Sequence, residues 1–145
     1  MAVTRYQLSQ AIAQLMPNII RGVQLDFFVK RRVTQTQLLM MLAIHAYGRS
    51  PMGRLARSLH VSQPTATGIV GRLARAGYVR RMADARDRRR VLVMLTAKGE
   101  LFIRAFQSVI RRRWGDVLRT LEPAELEAFF GVVGKLQQGL RIESS

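Results

Sequence analysis

The hydrophobic periodicity changes at Gly77, and this change constrains the fold more than any other feature of the chain. Before Gly77, residues 62–76 repeat apolar side chains at the spacing of an α-helix. After it, the segments YVRRM (78–82) and VLVML (91–95) are typical of two short strands, and helical spacing then returns. The sequence therefore predicts a helix, a β-hairpin and a further helix in direct succession. The inner face of the first of these helices is predicted to consist of Ala66, Ile69, Val70 and Leu73.

The rest of the chain is predicted to be helical, with end signals at most boundaries. Thr4 and Gln7 are spaced as a capping box at the first helix, whereas Pro17 is expected to kink or interrupt it. Thr96 is the expected N-cap of the helix after the hairpin, and Pro123 lies near the start of the last helix. The predicted helices are residues 4–29, 34–47, 50–59, 97–121 and 123–140.

Residues 50–75 have the pattern of a helix-turn-helix motif. A short helix ends near Leu59, and a second helix begins with Ser62 as N-cap and Pro64 in its first turn. In this motif the second helix enters the major groove of DNA by its N-terminus. The hairpin that follows extends the motif to a winged helix, with ADARDRRR (83–90) as a charged tip.

The residues of this segment that could contact DNA fall into three groups. Polar side chains in the first turn can reach base edges, arginines further along the helix can bind phosphates, and arginines at the wing tip suit an adjacent minor groove. The first group, with the glycine that follows it, is Ser62, Gln63, Pro64, Thr65, Thr67 and Gly68. The second is Arg72 and Arg75, and the third is Arg86, Arg88, Arg89 and Arg90.

Two glycines, Gly68 and Gly71, lie on the outer face of the second helix, although a glycine within a helix costs about 1 kcal/mol relative to alanine. One interpretation is that they let the helix backbone approach DNA closely, which leaves more of the specificity to the wing and to DNA shape. The other is that they are tolerated surface residues without effect. The sequence leaves both interpretations open.

Positive charge is concentrated in the middle of the chain. The formal net charge is +15, and 21 of the 24 basic residues are arginine. Residues 49–98 hold 12 basic residues against two acids, whereas residues 120–145 hold two basic residues and four acids. This distribution favours a polyanionic partner for the middle of the chain. The alternative is a solvated surface in a genome that favours arginine codons.

Several classes of protein and of site are disfavoured by what the sequence lacks. A hydrophobic content of 48% is too high for a disordered chain, and no apolar run approaches the ~20 residues of a membrane span. With neither a signal peptide nor a cysteine, a cytoplasmic protein without membrane contact is expected. The sequence shows no nucleophile paired with a base, no paired carboxylates and no phosphate-binding loop, so nothing in it indicates an enzyme. No cofactor is expected.

Metal binding is not expected either, because neither histidine has acidic residues clustered around it in the sequence. His45 is predicted to lie on a core-facing helix, residues 34–47, and His60 in the tight connection before Ser62.

The run LARSLHVSQPTATGIVGRLARAGYVRRMADARDRRRVLVMLTAKG (55–99) resembles the core of the MarR family of transcription regulators. The resemblance lies in the leucine-alanine start with VSQPT, the passage from Arg72 to Arg81, and the D.RDRR wing followed by LTAKG. It extends more loosely over the rest of the chain. Similar proteins commonly carry larger polar or charged side chains where this chain has Gly68 and Gly71.

The resemblance implies a mainly α fold with a small β-hairpin wing. A winged helix-turn-helix DNA-binding core over residues 34–99 would be flanked by helical dimerisation regions over residues 1–33 and 100–145, all within a single domain. It also implies a homodimer on a pseudo-palindromic operator in double-stranded DNA. Such proteins usually repress, and many are released by a small aromatic effector.

Individual roles also follow from the resemblance. The arginine that enters the minor groove would be Arg86 or Arg88, and Asp87 would pair with Arg89 or Arg90 to hold the shape of the wing. Phe27, Tyr47 and Trp114 are candidates to line an effector cleft, although aromatic residues at helical spacing more often belong to the core.

We therefore expect a sequence-specific DNA-binding regulator of transcription. The alternative is a low-specificity architectural or nucleoid-type DNA-binding protein, which the high charge and the bare helix face favour. A protein that binds RNA or an anionic membrane surface is the third possibility. It is disfavoured because the chain has no exposed aromatic run and no isolated basic amphipathic helix.

Overall fold

The computed structural model describes the backbone of residues 1–143 and their side chains except at positions 25, 26 and 141–143. The predicted C-terminal helical region extends to residue 145, so its last two residues lie outside the described ones. The helices are α1 (Arg5–Val23), α2 (Val29–Arg31), α3 (Gln35–Tyr47), α4 (Met52–Ser58), α5 (Gln63–Arg75), α6 (Ala97–Leu118) and α7 (Pro123–Glu143). The strands are β1 (Ser50–Pro51), β2 (Val79–Ala83) and β3 (Val91–Leu95).

Two capping boxes start α1 and α3. The hydroxyl of Thr4 accepts a hydrogen bond from the Gln7 amide at 3.2 Å, and the Gln7 side chain accepts one from the Thr4 amide at 2.9 Å. Thr34 and Gln37 repeat this arrangement at 3.1 and 3.0 Å. Each box satisfies amides that have no partner within the helix. The capping box predicted at Thr4 is confirmed.

The first helix is not interrupted at Pro17. Helix α1 continues through this residue to Val23, and the departure from α geometry comes later, as a π-helical turn at Gln24–Phe28 before α2. The proline ring removes one backbone donor, which the helix tolerates. The wider π turn contains Phe27, which is fully buried with its ring centroid 4.9 Å from that of Phe102.

The sheet has three antiparallel strands in the order β1-β3-β2, one strand more than the sequence predicts. The predicted hairpin is present, with Val79 opposite Leu95. The added strand is β1, where Ser50 lies opposite Val93 in a segment predicted to open a helix. Ser50 is fully buried, and its hydroxyl donates to the carbonyl oxygen of Gly48 at 3.1 Å. A strand of two residues is too short to show any periodicity.

The chain divides into two units, one of residues 1–110 and a second that begins at Arg111. The core of the first unit is formed by α3, α4, α5, β3 and the first part of α6. Its large, fully buried side chains include Met40, Met41, Ile44, Leu55, Val70, Leu73, Val93 and Ile103. The predicted inner face of α5 is confirmed, because Ala66, Ile69, Val70 and Leu73 are each at most 6% exposed.

The LTAKG segment attaches the end of α5 to the start of α6. The hydroxyl of Thr96 caps α6 by accepting a hydrogen bond from the Gly99 amide at 3.2 Å, and it donates to the carbonyl oxygen of Gly77 at 2.5 Å. The ammonium group of Lys98 donates to the carbonyl oxygen of Ala76 at 2.6 Å. The two carbonyl groups that directly follow α5 thereby gain hydrogen-bond donors from the N-cap and the first turn of α6.

The second unit contains the end of α6 and the amphipathic helix α7. Its exposed large apolar side chains are Leu126, Phe129, Phe130, Val132, Leu136 and Leu140. Phe130 is 80% exposed, and together with Leu118 and Val133 it lines an apolar surface cavity of about 590 Å³. Across residues 1–143, none of the helices combines the length and the apolar character required to span a bilayer.

Gly99→Ala should destabilise the protein, because a Cβ at this position would overlap the Tyr78 carbonyl oxygen and lie 3.1 Å from Leu95 Cδ2. We expect the free energy of unfolding to fall by about 1–3 kcal/mol, as for other overpacked sites. Urea denaturation followed by circular dichroism measures this change. Gly115→Ala is the control, since no heavy atom lies within 4 Å of its Cβ position, and it should gain up to about 1 kcal/mol. A Gly99→Ala protein with wild-type stability would contradict the close approach.

Candidate nucleic-acid interface

The start of α5 is held by the hydroxyl groups of its first turns. The Ser62 hydroxyl accepts a hydrogen bond from the Thr65 amide at 3.2 Å and lies 2.8 Å from the Thr65 hydroxyl. The Thr67 hydroxyl donates to the carbonyl oxygen of Gln63 at 2.9 Å. Ser62 is therefore the N-cap that the sequence predicts. The side chain of Gln63 is exposed and lines a groove described below.

One side of α5 borders an open polar cavity of about 590 Å³. Pro64, Thr65, Gly68 and Arg72 of α5 line it, together with Thr34, Thr36 and Gln37 at the start of α3. Sequence analysis missed the three residues from α3. Their capping-box pattern indicates a helix start, but it carries no information on which helix lies beside it.

The two outer glycines of α5 have different surroundings. A Cβ at Gly68 would have no heavy atom within 4 Å, so this part of the helix backbone faces open space. A Cβ at Gly71 would lie 3.5 Å from Arg81 Nη2 and 3.7 Å from Arg75 Nη1. Two guanidinium groups therefore lie over the backbone at Gly71, whereas Gly68 is bare.

The other side of α5 borders a second open cavity, of about 490 Å³, between α4, β2 and the end of the wing. We call it the arginine groove. Its arginines are Arg54, Arg57, Arg81, Arg89 and Arg90, and it is also lined by Gln63 and Thr67. Among the side chains that the structure describes, no carboxylate forms an ion pair with any of the five guanidinium groups. Sequence analysis identified two of the five, Arg89 and Arg90, because the others lie on α4 and β2.

The aspartates of the wing tip bind backbone amides. Asp84 Oδ1 accepts a hydrogen bond from the Arg86 amide at 3.0 Å, and Asp87 Oδ1 accepts one from the Arg89 amide at 3.0 Å. The Arg90 amide donates to the carbonyl oxygen of Asp87 at 2.9 Å. The resemblance implies that Asp87 pairs with Arg89 or Arg90, but the structure shows only main-chain contacts between them and no ion pair. The guanidinium groups remain available for other partners.

The four wing arginines divide into two pairs. Arg89 and Arg90 line the arginine groove, whereas Arg86 and Arg88 are exposed at the tip outside it. On α5, Arg72 lines the polar cavity, and Arg75 lies over Gly71. The predicted DNA-contacting residues therefore lie along α5, on its two flanks and at the wing tip.

His45 lies on a helix that faces the core, as predicted, but its own side chain is exposed. Its side chain is 38% exposed, and Nδ1 lies 3.3 Å from Glu100 Oε2. The last turn of α3 meets the first turn of α6 here, a tertiary contact that local periodicity does not contain. In the part of the chain that the structure describes, no three residues among His, Cys, Asp and Glu cluster as metal ligands.

The aromatic residues considered for an effector cleft have different surroundings. Phe27 is fully buried against the rings of Phe102 and Phe106, with centroids at 4.9 and 5.4 Å. Tyr47 instead lies under Arg54, whose Cζ is 4.1 Å from the centre of the Tyr47 ring. Phe27 thus belongs to the core and Tyr47 to the edge of the arginine groove. Trp114 is half-buried within the second unit.

A family model described as the MarR family matches residues 33–91, which include α3, the helix-turn-helix, β2 and the wing tip. Residues 33–91 form a MarR family domain.

Curated relatives of this MarR family domain match over part of their length. The uncharacterized HTH-type transcriptional regulator YcgE of Bacillus subtilis is 33% identical over 88 residues, which cover 61% of this chain and 57% of that protein. The transcriptional activatory protein BadR of Rhodopseudomonas palustris is 43% identical over 68 residues, or 46% of this chain and 39% of that protein. The matches thus span a little over half of the first relative and about two fifths of the second.

Solved structures resemble the whole chain. A MarR family protein from Bacillus stearothermophilus has a TM-score of 0.80 at 22% identity, covering 97% of this chain and 99% of that one. A mutant of S. aureus MepR bound to an oligodeoxyribonucleotide has a TM-score of 0.67 at 20% identity, covering 96% and 99%. At these identities the likeness concerns the fold. It confirms the predicted mainly α winged-helix class.

Proposed function

We propose that this MarR family chain is a homodimeric regulator of transcription that binds a pseudo-palindromic operator in double-stranded DNA. The observation that carries the proposal is the surroundings of α5. This exposed helix lies between a polar cavity and a groove of five arginines that lack carboxylate partners among the described residues. Duplex DNA supplies both a major groove of the width of a helix and phosphates at regular spacing.

In the proposed complex α5 enters the major groove by its N-terminus. Gln63 reaches base edges, while the hydroxyls of Ser62, Thr65 and Thr67 keep the start of the helix in place. Pro64 and Gly68 allow close approach, and Arg72 and Arg75 bind phosphates. Base recognition thus depends on a short stretch of α5, because Gly68 and Gly71 carry no side chain.

The wing is proposed to contact the adjacent minor groove through Arg86 or Arg88. Both are exposed at a tip whose backbone is held by Asp84 and Asp87. A narrow minor groove has an enhanced negative potential that attracts arginine. Arg89 and Arg90 belong instead to the arginine groove.

A second copy of the chain is the proposed cover for the apolar helices outside the DNA-binding core of residues 34–99. Leu8 and Ile12 of α1 are exposed, as are Phe130 and Leu136 of α7. Exposed apolar surface of this extent usually marks an interface. In a two-fold dimer, residues 1–33 and 100–145 would form the dimerisation region, and two copies of α5 would reach half-sites about 10 base pairs apart.

Repression and release by a small aromatic effector complete the proposal. A dimer bound at an operator would block access to the DNA it covers. For the effector, the first unit offers a surface cavity of about 400 Å³ beside the π-helical turn, with Phe28, Val29 and Val33 as an apolar wall. Its volume lies within the range of small-molecule sites, about 300–1,000 Å³.

A low-specificity architectural DNA-binding protein is the second candidate function. It is favoured by the bare backbone at Gly68 and by the number of arginines, since arginine–phosphate contacts carry no sequence information.

Selection of binders from a random duplex DNA pool at near-physiological salt tests the proposal. We expect an inverted repeat with half-sites about one helical turn apart, bound at least about a thousandfold more tightly than scrambled DNA. Tight binding without an enriched motif would establish the architectural function instead. A protein that binds no duplex from the pool would contradict both functions.

Substitutions at Gly68 should separate stability from DNA binding. The Cβ position is open, so Gly68→Leu should fold and be at least as stable as the wild type. If the backbone approaches DNA here, the added side chain should weaken binding to the selected operator by tenfold or more. Fluorescence anisotropy measures the affinity, and urea denaturation the stability. Gly115→Leu is a matched control, since its Cβ position is also open. Wild-type affinity of Gly68→Leu would favour a tolerated surface glycine.

Phe130→Glu should dissociate the dimer. Phe130 is 80% exposed in one chain and is proposed to be covered in the dimer, where a charged side chain would be buried without a partner. We expect sedimentation equilibrium to show monomers at micromolar concentration. Operator affinity should fall by at least tenfold, since the two half-site contacts are no longer linked. Leu39→Glu, at an exposed leucine of α3, should remain dimeric. A dimeric Phe130→Glu protein would contradict the role of α7 in the interface.

A further inference from the structure

The arginine groove brings together charges from three separate elements. Arg54 and Arg57 belong to α4, Arg81 to β2, and Arg89 and Arg90 follow the wing tip. Like charges held close together repel each other, and the repulsion is relieved when an anion enters between them. The groove lies between the two contacts of the proposed function, the N-terminus of α5 and the wing.

Arg54 is held in place by an aromatic ring. Its Cζ lies 4.1 Å from the centre of the Tyr47 ring, and Tyr47 is the last residue of α3. A guanidinium stacked on an aromatic face keeps the N–H groups at its edges free for hydrogen bonds. Because the side chain is already ordered, less conformational entropy is lost when it binds an anion.

Arg81 is held against the bare backbone of α5. Its Nη2 lies 3.5 Å from the position that a Cβ of residue 71 would occupy, and Arg75 Nη1 lies 3.7 Å from the same point. The two nitrogens are therefore no more than 7.2 Å apart, the sum of these distances. Two guanidinium groups at such a separation can both donate to the oxygens of one phosphate. A Cβ at residue 71 would be in ordinary van der Waals contact with both nitrogens.

We propose that the arginine groove binds the sugar-phosphate backbone of duplex DNA between the contacts of α5 and those of the wing. In this site Tyr47 is a positioning residue for Arg54. The inference rests on the proposed function for its partner, duplex DNA. It does not depend on the operator, since phosphates are the same in every sequence, and the groove therefore contributes to non-specific binding as well.

The salt dependence of binding to a non-specific 20-base-pair duplex tests the groove. The slope of log K against log[salt] is negative, and each phosphate contact that is lost reduces its magnitude by about 0.9. We expect Arg54→Gln and Arg81→Gln each to show this decrease, and to weaken binding roughly tenfold at fixed salt. Arg104→Gln is the matched control, since it removes one exposed arginine of α6 outside the groove. Its slope should stay close to that of the wild type.

A double-mutant cycle tests the positioning role of Tyr47. Tyr47→Phe keeps the ring under Arg54 and should bind as the wild type does. Tyr47→Leu should weaken binding about threefold, within the range of an exposed cation–π contact. In an Arg54→Gln background, Tyr47→Leu should have no further effect. Equal losses in both backgrounds would show that Tyr47 acts on the fold alone, and would overturn its positioning role.

The groove and the proposed function fail in different ways. If Arg54→Gln and Arg81→Gln behave as Arg104→Gln does while the wild type selects an operator, the groove inference is overturned and the regulator stands. If the wild type binds the non-specific duplex but selects no operator, the proposed regulator is overturned. The salt slopes of the variants on that duplex then still decide the groove inference. If the wild type binds neither DNA, both are overturned.

Discussion

The geometry of the candidate interface depends on the close contact between the residues that follow α5 and the first turn of α6. Gly99 permits this contact, because a side chain there would meet the Tyr78 carbonyl oxygen. Thr96 and Lys98 then donate to the carbonyl oxygens of Gly77 and Ala76. Since the end of α5 is attached in this way and its inner face is buried, its outer face has a defined position within the first unit.

The charges of the interface are arranged for binding more than for stability. Asp84 and Asp87 hold backbone amides of the wing, and the guanidinium groups of the arginine groove have no carboxylate partner in the described part of the chain. An exposed ion pair contributes only about 0–1 kcal/mol, so little stability is lost by leaving these arginines unpaired. A polyanion gains several charged contacts at once from the same arrangement.

Much of the fold could be predicted because its signals are local. The caps at Thr4, Ser62 and Thr96 act within three residues, and the periodicity of α5 identifies its buried face without reference to any other element. The features that the sequence did not predict depend on contacts over longer distances. Strand β1 exists only through its pairing with β3, and His45 is positioned by Glu100 of another helix. Helix α1 also continues through Pro17, which was expected to kink or interrupt it.

The sequence by itself determined the order of the elements, the motif of α5 and the wing, and the excess of arginine over the middle of the chain. Tertiary structure alone decided which arginines share a groove and which glycine of α5 stays bare. Arg54, Arg81 and Arg90 are far apart in the chain, and they meet through the pairing of β1, β3 and β2 and the packing of α4 on α5. Local hydrogen bonds and side-chain spacing act over a few residues, so such non-local contacts leave no pattern in the sequence.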